Sequence, residues 1–205
     1  MAMLTKEEVL RPLAGLRSDA VVVTTMGIVR PWGRISQSEL DFASADSAMG
    51  HAADLALGIA IAQPLRKVIC LNGDGSMLMT LGTLASVVEA GVNNYFLFVI
   101  ENWTYEITGN QTIPGAARLD FVALARGAGF KRTYRFDDSK SYAETLPHVL
   151  SGEGPVFVLL RVEPGSEGPI SRSEREETAY LKVSIAESAH AMRRSLCLNV
   201  RAPEP

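Results

Sequence analysis

Apolar positions follow two rhythms along the chain. Short, nearly unbroken apolar runs predict buried strands at Val21–Thr24, 67–71, 95–100 and 155–161, with a shorter one at 132–135. Between them, apolar residues recur every three or four positions over about 5–15, 52–63, 76–90, 118–128 and 139–150, which predicts helices. Residues 26–50 have no clear period and read as irregular, and 101–116 reads as a polar loop. Strands alternating with helices predict an α/β fold, a doubly wound and mostly parallel sheet with helices on both faces. This domain is expected to span residues 1–165. Residues 166–205 are charged at first and amphipathic after Tyr180. They predict a C-terminal helix and tail that pack on the domain or on another subunit. No internal repeat or low-complexity segment interrupts the pattern.

Composition narrows the class. With 205 residues and 47% apolar side chains, one well-packed domain is expected. A net charge of −3 and a pI near 5.7 give no support to nucleic-acid binding. Cys70 and Cys197 are too few and too far apart for a disulfide framework, an iron–sulfur cluster or a zinc site, and they suit a reducing compartment. No apolar run reaches the ~18–20 residues that span a bilayer. The first residues lack a signal peptide's apolar core and read as a helix capped at Thr5, so a soluble, cytoplasmic protein is expected.

The candidate chemistry lies at the ends of two predicted strands. Gly73-Asp74-Gly75 closes the 67–71 run, and Asn102 follows the 95–100 run. A β-α-β unit makes those strands parallel neighbours, so the Asp74 carboxylate and the Asn102 amide meet at the edge where open α/β sheets bind ligands. Two hard oxygen donors beside a glycine-rich strand-to-helix turn describe a Mg²⁺-diphosphate site. Gly73 and Gly75 would let the backbone approach the phosphates, and Ser76 would sit at the positive end of the following helix or simply cap it. Asn93-Asn94 is a decoy: it precedes its strand and falls at the wrong edge, as a helix-to-strand turn.

Gly73-Asp74-Gly75, twenty-five intervening residues, then Glu101-Asn102 resembles the fingerprint of thiamine-diphosphate enzymes, GDG followed by NN. Glu101 stands where the first Asn usually does, and Asn102 keeps the position of the metal ligand. The resemblance implies Mg²⁺ held by Asp74, Asn102 and the Thr104 carbonyl, together with diphosphate oxygens and water. Ser47-Ala48-Met49-Gly50-His51-Ala52 resembles the GSMGHA-type segment of the family's decarboxylases. It implies Met49 as the apolar wedge under a bent cofactor and a Ser47 main-chain contact to the aminopyrimidine. His51 would contact diphosphate or substrate, or cap the helix. Thr24-Thr25-Met26-Gly27 resembles the TTG-type diphosphate loop, and Arg30 and Arg34 beyond it would meet an anionic substrate or partner, or stay solvated.

Residues 103–111 resemble the NNGxHExxGGQ stretch of sulfopyruvate and phosphonopyruvate decarboxylases. Glu106, Gly109 and Gln111 keep their register, and Tyr105 replaces the usual His. The similarity covers roughly residues 5–163, the family's diphosphate-binding domain, and is nearest to the beta subunit of sulfopyruvate decarboxylase and to phosphonopyruvate decarboxylase. In such enzymes a glutamate from a separate pyrimidine-binding domain activates the cofactor, and the chain has no room for that domain. The resemblance therefore implies half an active site: the diphosphate- and Mg²⁺-binding subunit of a hetero-oligomeric 2-oxoacid decarboxylase. The alternatives are a carboligase subunit of acetolactate-synthase type and a non-catalytic cofactor-binding or regulatory subunit. No catalytic residue of this chain stands out, with His51 and Glu106 the two candidates.

Overall fold

The computed structural model describes residues 3–42 and 49–198. Helix α1 (Lys6–Leu16) begins on a capping box: Thr5 Oγ1 accepts from the Glu8 N–H at 3.2 Å, and Glu8 Oε2 accepts from the Thr5 N–H at 2.7 Å. Strand β1 (Val21–Thr24), a 3₁₀ turn (Met26–Ile28) and the short α2 (Val29–Gly33) follow, then β2 (Asp41–Phe42), α3 (Ala52–Ala62) and β3 (Val68–Gly73). Next come α4 (Asp74–Met79), α5 (Thr83–Glu89), β4 (Tyr95–Glu101) and a small hairpin of β5 (Thr104–Tyr105) and β6 (Gln111–Thr112). The chain continues through α6 (Phe121–Ala128), β7 (Arg132–Phe136), α7 (Ser139–Ser151), β8 (Val156–Arg161) and α8 (Ile185–Leu198).

Six strands form one parallel sheet in the order β2-β1-β3-β4-β8-β7. All seven residues of β4 are buried, because both faces of the sheet are covered. Tyr95, Leu97 and Val99 pack with Ala56 of α3, Val87 of α5 and Phe121 of α6. Phe96, Phe98 and Ile100 pack on the other face with Leu10 of α1, Trp32 of α2 and Leu146 of α7. This is the doubly wound α/β sheet that the alternation predicts.

The topology also places a crevice. After β1 the chain moves to the face of α2 and then to β2; after β3 it moves to the opposite face, through α4 and α5, and then to β4. The segments leaving β1 and β3 therefore part from each other at the carboxyl ends of the strands, a topological switch point.

Four local expectations change. The 26–50 stretch holds the 3₁₀ turn, α2 and the edge strand β2, the last anchored by Arg17 and the Tyr180 hydroxyl, both bonded to Asp41. The expected helix over 76–90 is two helices, because Thr80 turns out of helical geometry and its hydroxyl donates to the Gly50 carbonyl, with Gly82 behind it. The 101–116 loop contains the β5–β6 hairpin. Helix α6 starts at Phe121 on an Asp120 cap rather than at 118.

Beyond β8, residues 163–182 cross over α2, and α8 returns toward β2, burying Met192 and bonding Ser195 Oγ to Glu39 Oε2 at 3.1 Å. Among the described residues no helix is long and apolar enough to cross a membrane.

Candidate functional site

A cavity of about 340 Å³ opens at the switch point. Its walls are Thr25 to Ile28 after β1, Gly73 to Ser76 at the end of β3 and the start of α4, Ile100 at the end of β4 and Asn102 just after it, Thr104 to Thr108 of the hairpin segment, and Lys6, Met49 and Met79. Asp74 and Asn102 both lie on its wall.

Asp74 is the first residue of α4 and is 1% exposed. Its Oδ1 accepts from the Gly75 N–H at 2.7 Å, and its Oδ2 from the Asn102 N–H at 3.1 Å and the Trp103 N–H at 2.7 Å. Burial pushes its pKa up to about 6, against the opposing pull of these three N–H groups. A divalent cation beside such a carboxylate would offset the cost of burying its charge. Asn102 is 7% exposed; its Oδ1 accepts from the Thr104 N–H at 3.1 Å and its Nδ2 donates to Glu106 Oε2 at 3.0 Å.

The glycines of the turn have different tasks. A Cβ on Gly73 would meet nothing within 4 Å, so this position leaves room for a ligand. A Cβ on Gly75 would lie 2.6 Å from Tyr105 Cε1 and 3.2 Å from Ile113 Cγ2. Gly75 thus lets the hairpin segment pack against the turn, while it also stays on the cavity wall. Ser76 is not the cap of α4, since Gly73 occupies that position; Ser76 Oγ instead accepts from the Gly50 N–H at 2.9 Å. That bond, with Thr80 on the Gly50 carbonyl, ties Met49 to α4 and places it on the cavity wall.

Other expected site residues lie where their surroundings explain them. Thr25 lines the cavity, while Thr24 is fully buried at the end of β1 and is not on the wall. His51 occupies the N-cap position of α3 through its backbone, with no side-chain cap bond; its ring is 67% exposed and its Nδ1 lies 3.0 Å from Asp54, away from the cavity lining. Ser47 lies outside the described residues. Glu101 turns aside to Arg161, its neighbour on β8, with Nε to Oε2 at 2.8 Å, and Arg161 also covers the Trp103 ring. Arg30 bonds both Glu176 oxygens and the Gly168 and Pro169 carbonyls, and Arg34 bonds Glu167 and Glu177, so both arginines are taken up by the C-terminal segment. Asn94 donates to the carbonyls of Ala60, Gln63 and Arg66, the structural turn expected of the decoy.

No motif in the sequence points to Lys6. It lines the cavity from α1, and its Nζ lies 2.5 Å from Glu106 Oε2. The available signal is its place in the first turn of a helix, where a cation opposes the helix dipole.

The donor set suits Mg²⁺ with a diphosphate. One carboxylate and one amide oxygen are too few to cage the ion alone, and among the described residues no cluster of three or more His, Cys, Asp or Glu side chains could do so. Mg²⁺ fills such a site with phosphate oxygens and water.

Residues 34–160 match the family model described as "Thiamine pyrophosphate enzyme, C-terminal TPP binding domain". The chain is 33% identical to the phosphonopyruvate decarboxylase of Streptomyces viridochromogenes over 89% of its length, and spans 44% of that protein. It is 32% identical to the sulfopyruvate decarboxylase subunit beta of Methanothermobacter thermautotrophicus over 85% of its length, and spans 91% of that subunit. The fold is shared with the thiamine diphosphate-dependent 4-hydroxybenzoylformate decarboxylase of Rhodococcus jostii, with a TM-score of 0.63 and 21% identity over 81% of this chain and 34% of that one.

Proposed function

The chain belongs to the thiamine pyrophosphate enzyme family, and we propose that it is the diphosphate- and Mg²⁺-binding subunit of a two-chain 2-oxoacid decarboxylase. The observation that carries this reading is the meeting of Asp74 and Asn102 in one hydrogen-bonded unit on the cavity wall. Asp74 Oδ1 or Oδ2, Asn102 Oδ1 and the Thr104 carbonyl would hold the cation. Thr25, Gly73 and Ser76 would surround the diphosphate, with Met49 and Tyr105 shaping the apolar wall. Bound thiamine diphosphate supplies the carbanion nucleophile and the electron sink for loss of CO₂. The residues of this chain bind, orient and exclude water, and the activating glutamate comes from a pyrimidine-binding partner.

The substrate is a small 2-oxoacid of the sulfopyruvate or phosphonopyruvate type, the class named in the two relatives. Arg30 and Arg34 are engaged by Glu176, Glu167 and Glu177, so recognition of a second anionic group falls to the partner. The test is co-expression with a pyrimidine-binding chain, followed by a screen of 2-oxoacids for CO₂ and aldehyde. Release that needs both chains, thiamine diphosphate and Mg²⁺ supports the reading. Full activity of this chain alone contradicts the two-chain arrangement, and an acetohydroxy acid in place of an aldehyde identifies a carboligase.

A further inference from the structure

Lys6 opens α1, yet its side chain is only 10% exposed and its ammonium turns inward. Nζ donates to Glu106 Oε2 at 2.5 Å and to the Gly27 carbonyl at 3.0 Å. Glu106 Oε2 also accepts from Asn102 Nδ2 at 3.0 Å, and Glu106 Oε1 from the Glu167 N–H at 3.0 Å. The ion pair is closed in by backbone: a Cβ on Gly165 would fall 2.5 Å from Glu106 Oε1 and 3.2 Å from Lys6 Nζ. One lysine thus joins the N-terminal helix, the loop after β1, the hairpin segment and the C-terminal segment at a single carboxylate.

The consequence falls on Asn102. An amide side chain can present oxygen or nitrogen to a neighbour, and only the oxygen can ligate a hard cation. A carboxylate accepts and a backbone N–H donates, so Glu106 on the Nδ2 side and the Thr104 N–H on the Oδ1 side impose the same orientation. One lone pair of Oδ1 is left for the metal.

We propose that Lys6 is a positioning residue of the cation site: it anchors Glu106, and Glu106 locks the Asn102 amide with its oxygen available. This rests on the reading of Asp74 and Asn102 as cation ligands. Without the ammonium, Glu106 keeps only the Glu167 N–H on Oε1, so the oxygen that faces the Asn102 nitrogen is no longer fixed and the amide is held from the Thr104 side alone.

The experiment is a calorimetric Mg²⁺ titration of the full chain at saturating thiamine diphosphate, with the melting temperature of each ligand-free variant alongside. Lys6→Met should raise the half-saturating Mg²⁺ concentration roughly 10- to 100-fold, the usual cost of losing a group that orients a ligand. Lys6→Arg, which can still hold Glu106, should recover most of that loss. The double variant Lys6→Met/Glu106→Gln leaves no lone buried charge and should fold. It should still bind Mg²⁺ weakly, because the introduced amide can offer either its oxygen or its nitrogen to Asn102. An unchanged Mg²⁺ requirement in the folded single or double variant, while Asp74→Ala abolishes Mg²⁺ dependence, overturns the role of Lys6 alone. If wild type is indifferent to the presence of Mg²⁺, or if Asp74→Ala keeps the wild-type Mg²⁺ requirement, the cation reading falls and the role of Lys6 with it.

Discussion

The Trp103 N–H and Asp74 Oδ2 lie 2.7 Å apart although 29 positions separate them in sequence. Trp103 reaches this geometry in the left-handed region, at φ +61°, which a bulky residue rarely adopts. The turn after β4 is bent so that consecutive N–H groups, those of Asn102 and Trp103, converge on one carboxylate oxygen. Asp74 therefore shapes the loop that carries its fellow ligand. Asp74→Asn, which can place a donor where an acceptor is needed, should lower stability by about 1–3 kcal/mol. Chemical denaturation measures that cost, and calorimetry should show Mg²⁺-dependent cofactor binding lost in the same variant.

Gly75 and Tyr105 should be energetically coupled. Gly75→Ala drives a methyl group into the Tyr105 ring, with an expected cost of about 1–3 kcal/mol. In a Tyr105→Ala background the same change should be nearly neutral. A double-mutant cycle by thermal denaturation measures the coupling, and additive effects would show that the hairpin does not pack on the turn.

The two asparagines that end up at opposite edges of the sheet should separate stability from binding. Asn94→Ala leaves three carbonyls without their shared donor, and should cost about 1–3 kcal/mol. Cofactor affinity at the far edge should not change. Asn102→Ala should do the reverse, with a large loss of Mg²⁺-dependent binding and a smaller change in melting temperature.

The C-terminal segment should be released by acid or by loss of Arg30. The Arg30 guanidinium holds the Glu176 carboxyl below its usual pKa. The stabilising contribution is thus complete above the ordinary glutamate value, near ~4.3. It is lost as pH falls through the lower value in the folded protein. Limited proteolysis between residues 163 and 182 should be insensitive to pH from neutrality down to about 5 and should increase only below the ordinary glutamate range. Arg30→Ala leaves Glu176 without its cation, held only by the Ser171 N–H and hydroxyl, and should expose the segment at neutral pH.

The parts of this fold visible in sequence are those governed by short-range pattern. Strand β4 is an unbroken apolar run, and so reads as a buried parallel strand. Thr5 and Glu8 form a local cap, and Gly73-Asp74-Gly75 with Asn102 is a spacing that one β-α-β unit converts into proximity. The parts that stayed hidden depend on distant partners. Thr80 breaks the expected long helix because its hydroxyl finds Gly50, thirty residues earlier. Strand β2 is two residues long and polar at Asp41, and its anchors, Arg17 and Tyr180, lie far away in the chain. Arg30 looks available to a ligand until Glu176, 146 positions later, occupies it. Lys6 and Glu106, a hundred positions apart, share no motif at all.

The most direct measurement is calorimetric titration of thiamine diphosphate into the full chain with and without Mg²⁺, for wild type and Asp74→Ala. Saturable heat that requires Mg²⁺ and vanishes in Asp74→Ala is the predicted result. Binding that ignores Mg²⁺, or that survives Asp74→Ala unchanged, would contradict the assignment of Asp74 and Asn102 as the cation site.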